Sequence, residues 1–457
     1  QLIDKAAAIP RLGVKEYDWW NEGLHGVARS GKATSFPTSL SMANTWNVPL
    51  VEKTAKITSD EGRAYHNEKG KDLTYWSPTI NLARDLRWGR NDETYGEDPY
   101  FTAEMGKAFV RGLQGGDSNF FKLVATIKHF AANNSEFNRH TGSSDMDERD
   151  LREYYLYHFQ NIIENTDVGG IMSSYNRLNG VPTSANSYLL TEILRKTWGY
   201  KSAVTADCGA VNDIYASHKW IPEGKDNSVT PEETASYTLK SGCDLDCGTF
   251  LRDYTKSALE KGELSESDID NALIRLFTVR MKTGEFDEKT PYDDIKWDIV
   301  ECEEHRNVSL QAARESIVLL ENKILPLEPE KLNKILVVGS LADYVELGGY
   351  SGSPEFTVKP LDGIKNILKN KNVEIIYDKG VPYNGGQSAF ICNFKGFSVV
   401  NSAGSEKFYS ANLVKFGNGC QLINNDFLGY VREGAVAKFS GIDLSRAKSI
   451  KVVSSSC

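Results

Sequence analysis

The run Ala203-Val204-Thr205-Ala206-Asp207-Cys208-Gly209 ends a short β-prone stretch with one carboxylate on a glycine-containing turn. A carboxylate in that setting is better suited to chemistry than to holding structure. Four more polar stations precede it, each at the end of a comparable run: Glu22 in Trp19-Trp20-Asn21-Glu22-Gly23-Leu24-His25-Gly26, Arg90 in Arg87-Trp88-Gly89-Arg90, Lys128-His129, and Tyr175-Asn176. Carboxylates, cationic donors and a phenol supplied by separate segments are the layout of an enzyme.

Those stations need elements to position them. Five runs read as strands: Leu73-Thr74-Tyr75-Trp76, Leu123-Val124-Ala125-Thr126-Ile127, Gly170-Ile171-Met172-Ser173-Ser174, Ala203-Val204-Thr205 and Asp244-Leu245-Asp246. Between them, residues 50–65, 99–113, 148–164 and 186–198 are amphipathic at helical spacing. Asp98-Pro99 and Asp147-Glu148 put acidic residues at helix starts, where they oppose the partial positive charge of the N-terminus. Strands that recur roughly every 30–50 residues predict a (β/α)8-type TIM barrel over 1–285, with its active site at the C-terminal strand ends. A linker and helix are expected over 286–329. Lys334-Ile335-Leu336-Val337-Val338-Gly339 then opens an α/β sandwich domain over 330–387. From 388 to 457 the chain turns to short β-runs rich in Gly, Asn and Ser, a partial jelly-roll-like segment. The loop Gly348-Gly349-Tyr350-Ser351-Gly352 resembles a phosphate cradle only superficially, because it lacks the Gly-Lys-Ser/Thr ending.

Composition narrows the partners. A net charge of −9 provides no basic face for nucleic acid or anionic lipid, so a neutral substrate fits better. Eight Trp and 21 Tyr suit stacking on sugar rings, although most of them must be core. No run of 18 apolar residues is present to span a membrane, and a homo-oligomer stays open. Cys243-x3-Cys247 lacks nearby His spacing and makes a poor zinc site, so neither metal nor organic cofactor is expected. In an oxidising compartment Cys208 could pair with Cys243 or with Cys247. The chain opens on Gln1 rather than Met, so any export signal is expected to have been removed or to lie outside this segment.

Six ordered motifs resemble glycoside hydrolase family 3, and within it the β-xylosidase branch. They are Asp18-Trp19-Trp20-Asn21-Glu22-Gly23-Leu24-His25-Gly26-Val27, Arg84-Asp85-Leu86-Arg87-Trp88-Gly89-Arg90, Tyr95-Gly96-Glu97-Asp98-Pro99, Lys128-His129-Phe130-Ala131, Met172-Ser173-Ser174-Tyr175-Asn176 and Ala206-Asp207-Cys208-Gly209. The stretch Gly429-Tyr430-Val431-Arg432-Glu433-Gly434-Ala435-Val436-Ala437 more loosely resembles a family 6 carbohydrate-binding module. Some family members carry such a domain inserted in the second domain.

The resemblance implies a secreted or periplasmic exo-acting β-xylosidase with Asp207 as the nucleophile of a retaining mechanism. A carboxylate can trap an oxocarbenium-like centre and then release it to water. It also implies that Arg90, Lys128 and His129 donate to ring hydroxyls, with Tyr175 in the same pocket. The competing reading of Arg90 is a salt bridge with Asp85 or Glu93. Lys128 and His129 are adjacent, so on a regular strand they would point to opposite sides unless both turn into the pocket where the strand ends. Glucose-preferring relatives usually have Asp at the place of Glu22 and often Trp at that of Cys208. The longer Glu22 takes the space of a hydroxymethyl arm and favours a pentose. β-Glucosidase, α-L-arabinofuranosidase or simple sugar-binding function are the alternatives. The acid/base, usually supplied by the second domain, is unassigned, and Glu97, Glu136 and Asp213 match no acid/base motif. Another branch uses a His/Asp dyad on Lys-His-Phe-Pro-Gly-His-Gly. Lys128-His129-Phe130-Ala131-Ala132-Asn133-Asn134 departs from it, which argues against an N-acetylhexosaminidase.

Overall fold

The structure is a computed structural model that describes residues 1–380, 392–413, 416–418, 421–423, 427–429, 436–440, 442, 444–445 and 447–456. Two compact units make it up. One comprises Gln1–Asn322 with Gly349–Phe356, the other Lys323–Gly348 with Thr357–Cys457.

The first unit is built on five strands, β1 Thr74–Tyr75, β2 Val124–Phe130, β3 Gly170–Ser173, β4 Ala203–Ala206 and β5 Leu245–Asp246. All five are parallel, and neighbours in sequence are neighbours in space. These are the five runs expected from the sequence. Parallel strands are covered on both faces, which is why they read as nearly continuous apolar runs. Successive residues still serve different sides. Val124, Met172, Ala203 and Leu245 join Trp19 and Trp76 in one core cluster, while Ala125, Ile127, Ile171 and Val204 pack with Met105, Phe109, Leu113, Phe159 and Leu190 in another.

The sheet differs from an eight-unit barrel. Its five parallel strands form a curled half-barrel, and the two N-terminal segments occupy the gap between β5 and β1. Asp4 N–H donates to Asp246 O (3.0 Å) and Asp246 N–H to Leu2 O (2.9 Å). Lys5–Ala6 pairs antiparallel with Tyr17–Asp18, and Trp76 N–H donates to Asn21 O at 2.8 Å. After β5 the chain continues as two helices, Phe250–Glu260 and Glu266–Lys282, with no strand between them to extend the sheet.

Outside the sheet, α1 (Val48–Lys69) is capped by Asn47, whose side chain accepts from Leu50 N–H at 3.1 Å. In α2 (Pro99–Gln114) Asp98 accepts from Phe101 N–H, and Asp147 likewise accepts from Asp150 N–H at 2.8 Å. Both expected acidic caps are present. The amphipathic stretch 148–164 is broken, with a wide turn at Leu151–Tyr155 before the helix Tyr157–Asn165. Helices α1 and α2 touch at Gly112, where a Cβ would lie 2.3 Å from Glu52 O and 2.8 Å from Ala55 Cβ. A helix backbone carbonyl cannot give way, so Gly112→Ala should lower stability by about 1–3 kcal/mol, read as a lower urea midpoint at unchanged slope.

In the second unit, Lys334–Val338 and Glu374–Asp378 pair in parallel, with the helix Pro360–Leu368 between them in sequence. Cys392–Asn401 pairs antiparallel with Glu406–Ser410 and with Ala447–Ser456. Tyr430, Val431, Arg432, Glu433, Gly434 and Ala435 of the module-like stretch lie outside the described residues. Among the described residues no helix is long and apolar enough to cross a membrane.

Candidate active site

A cavity of about 410 Å³ opens in the first unit, and six of the seven polar residues singled out by the sequence line it: Glu22, Arg90, Lys128, His129, Tyr175 and Asp207, whereas the Asn176 amide donates to Ala131 O at 3.3 Å. The fold explains the convergence. Asp207 follows β4, Tyr175 follows β3, Lys128 and His129 lie in β2, and Glu22 follows the bridge of Asn21 to β1. Parallel strands present their C-terminal ends on one side, so residues just beyond them meet.

Lys128 and His129 both line the cavity despite being adjacent. The pairing of β2 with β3 shifts register between Lys128 and Phe130, and a bulge of this kind re-aims side chains that a regular pleat would send apart.

Asp207 is buried. Its Oδ1 accepts from Cys208 N–H at 2.7 Å, while Oδ2 lies 3.4 Å from His129 Nε2 and accepts no hydrogen bond. A disulfide joins Cys208 to Cys247, and Gly209 N–H donates to Cys247 O at 2.8 Å. The turn bearing Asp207 is thus tied to the end of β5. Of the two cysteines open to Cys208, Cys243 is left free and buried. Burial pushes the Asp207 carboxyl above the ordinary carboxylate range, while Arg90, Lys128, Cys208 N–H and the Tyr175 hydroxyl pull it back.

Glu22 is also buried. It receives Lys128 Nζ at 3.2 Å and Trp20 Nε1 at 3.1 Å. Burial raises its pKa against the pull of Lys128. Burial pulls the Lys128 pKa down, but Glu22, Tyr350 and Glu93 outweigh it and hold it above the ordinary lysine value. Arg90 grips Glu93 through two bonds, Nε to Oε1 at 2.8 Å and Nη2 to Oε2 at 2.7 Å, while Asp85 pairs with Arg87 instead. Arg90 therefore makes the salt bridge with Glu93 and lines the cavity as well. Bidentate pairing of this kind fixes the plane of the guanidinium.

The three carboxylates weighed as acids separate cleanly. Glu136 lines the cavity, with its oxygens engaged by Trp88 Nε1 (3.2 Å) and Arg139 Nη1 (2.8 Å). Asp213 is bound by His140 Nδ1 and Ser217 Oγ, each at 2.6 Å, and Glu97 accepts from Tyr154 only through its backbone carbonyl.

Sequence reasoning missed Tyr350. Its loop, Gly349–Phe356, belongs to the first unit and brings the ring within 4.7 Å of Lys128 Nζ and 5.0 Å of Arg29 Cζ. His25 Nε2 lies 2.6 Å from Gly349 O, Ser353 N–H donates to Gly31 O at 2.8 Å, and the buried Glu301 accepts from Glu355 N–H (2.9 Å) and Phe356 N–H (2.8 Å). The glycine-rich spacing marked this loop as unusual, but its use is to seat an aromatic ring rather than a phosphate. Trp20, Arg29 and Arg139 also line the cavity. Acidic groups, cationic donors and aromatic surface around one polar hollow suit a small, neutral, polyhydroxylated ligand.

Known proteins point the same way. The chain is 38% identical over 399 residues to a probable β-D-xylosidase 7 of Arabidopsis thaliana, covering 81% of this chain and 51% of that protein. It is 38% identical over 399 residues to a xylan 1,4-β-xylosidase of Xylanibacter ruminicola, covering 83% and 45%. Among solved structures it resembles a family 3 exo-β-xylosidase in complex with a xylobiose aziridine activity-based probe. That match has a TM-score of 0.77 at 32% identity and covers 83% of this chain and 50% of the other. The chain thus spans about half the length of these relatives. The model of the glycosyl hydrolase family 3 C-terminal domain matches residues 317–449, and that of the N-terminal domain matches residues 17–279. This chain belongs to glycosyl hydrolase family 3.

Proposed function

We propose that this chain carries the sugar pocket of a retaining, exo-acting β-xylosidase that releases β-linked xylose from the non-reducing end of xylo-oligosaccharides through a covalent glycosyl-enzyme on Asp207. The observation that carries the reading is the Asp207 carboxylate itself. One oxygen is held by Cys208 N–H, and the other has no donor at ordinary hydrogen-bond distance, with the Tyr175 hydroxyl close to the carboxylate, in the wall of a cavity that Glu22, Arg90, Lys128 and His129 also line. An oxygen without an ordinary hydrogen bond to lose is available to an anomeric carbon. Attack forms the bond from Asp207 to the sugar as the leaving group takes a proton; water then breaks it with inversion at the same carbon, so configuration is retained overall. The acid/base that handles those protons is proposed to come from outside the residues around this cavity.

Glu22 supports xylose over glucose. Lys128 and Trp20 fix its longer side chain, so it cannot easily withdraw to admit a hydroxymethyl arm. Glu22→Asp should raise glucoside turnover relative to xyloside by up to about 100-fold. An unchanged ratio would remove Glu22 from the sugar pocket. Assays of aryl β-xyloside, aryl β-glucoside and aryl α-L-arabinofuranoside, with xylose binding followed by calorimetry, test the whole reading. A faster glucoside or arabinofuranoside would reassign the substrate, and binding without turnover would make the chain a sugar-binding protein.

Two further parts belong to this proposal. The Cys208–Cys247 disulfide supports a secreted or periplasmic location, since such bonds persist in oxidising compartments. The antiparallel pairing of Cys392–Asn401 with Glu406–Ser410 and Ala447–Ser456 supports reading this β-rich region as part of a jelly-roll-like carbohydrate-binding module inserted in the family's second domain.

A further inference from the structure

Asn81 does not line the cavity, yet it determines what His129 can do there. Residues just after β1 continue beside β2, with Ile80 N–H donating to Lys128 O at 2.7 Å, so Asn81 arrives next to His129. Its amide orientation is fixed, because Nδ2 donates to Asn133 O at 3.0 Å. Oδ1 therefore faces His129, accepting the backbone N–H at 2.9 Å and meeting ring Nδ1 at 2.9 Å. An amide oxygen can only accept, so Nδ1 must carry a proton. Asn81 and His129 are both buried, and Arg90, Lys128 and Arg139 face the ring with Asp207, so burial and three cations oppose a second proton.

We infer that Asn81 is a positioning residue that holds His129 as the neutral Nδ1–H tautomer, so that Nε2 enters the pocket as a hydrogen-bond acceptor for a sugar hydroxyl. His129 then cannot donate to Asp207 Oδ2, although the two atoms lie 3.4 Å apart. The opposite tautomer would place a proton on that line and engage the oxygen that must attack. A hydroxyl that gives its proton to Nε2 keeps its lone pairs for Lys128 or Arg90, so the cationic donors and the imidazole act on the sugar without competing. This acceptor role is the reverse of the donor role expected of His129 from the sequence.

The tautomer rests on this geometry alone, and the hydroxyl role rests on the xylose reading above. Selective 15N-histidine labelling of the whole chain, with His129 identified among the seven histidines by its loss in His129→Gln, locates the ring proton in two-bond 1H–15N correlations. A proton on Nδ1 and an unprotonated Nε2 are expected; a proton on Nε2, alone or with Nδ1, overturns the inference. Asn81→Asp adds a functional readout. A carboxylate beside Nδ1 stabilises the imidazolium and raises its pKa by about one to three units, so Nε2–H engages Asp207 up to a higher pH. The acid limb of dinitrophenyl β-xyloside turnover, set by Asp207 in the wild type, should move upward as His129 titrates into the same range. An active Asn81→Asp variant with an unmoved limb counts against the inference, and if the variant does not fold the wild-type spectrum decides. A wild-type chain that turns over no xyloside refutes the proposed function, whereas the ring-proton position bears only on this one.

Discussion

Asp207→Ala should abolish xyloside turnover while leaving xylose binding largely intact. The covalent step depends on one carboxylate oxygen, and no other cavity carboxylate can replace it: Glu22 is held by Lys128 and Trp20, Glu93 by Arg90, and Glu136 by Arg139 and Trp88. Glu22, Arg90, Lys128 and His129 line the cavity from other segments and survive the change. Residual turnover below about a hundredth of wild type, a loss of at least about 2.7 kcal/mol of transition-state stabilisation, is expected from single-turnover assays, with xylose affinity followed by calorimetry. A variant that keeps more than that places the nucleophile elsewhere. Because burial raises the Asp207 pKa and only the anion attacks, the acid limb of wild-type kcat/KM should lie above the ordinary carboxylate range.

The second large effect concerns the leaving group. If no residue around the cavity protonates it, this chain should cleave dinitrophenyl β-xyloside, whose leaving group needs no proton, far faster than xylobiose. General acid catalysis contributes about 10²–10⁴-fold where it is required, and the gap should be of that order. Azide should then speed the reaction by attacking the xylosyl-enzyme without help from a general base, giving xylosyl azide as product. Glu136 is the first alternative, since it lines the cavity whereas Asp213 and Glu97 do not. Equal rates on xylobiose and the activated substrate would put the acid within this chain, and Glu136→Gln would be the first variant to test.

Much of the site was legible before the fold was known. Parallel strands are buried on both faces, so β1 to β5 appear as apolar runs, and a charged or phenolic residue at the end of such a run stands out because the interior cannot accept it. Lys128, His129, Tyr175 and Asp207 were visible by that contrast, whereas Glu22 and Arg90 end no strand of this sheet and were marked by the motifs around them. Asp98 and Asp147 were visible because a helix N-terminus leaves N–H groups that a side-chain oxygen must satisfy.

What only the tertiary structure decided depends on groups far apart in the chain. Two-residue segments near the N-terminus fill the gap in the sheet, and segments so short carry no periodicity of their own; their pairing comes from β5 and β1. Cys247 rather than Cys243 reaches Cys208 because of where β5 ends beside β4. Tyr350 enters the cavity through a loop fastened by His25, 324 residues away from Gly349 in sequence, and by the buried carboxylate of Glu301. Asn81 acquires its role only because the segment after β1 runs beside β2. Local propensity is set by neighbours in the chain, whereas these contacts are set by which strand ends meet, and that is fixed only when the sheet curls.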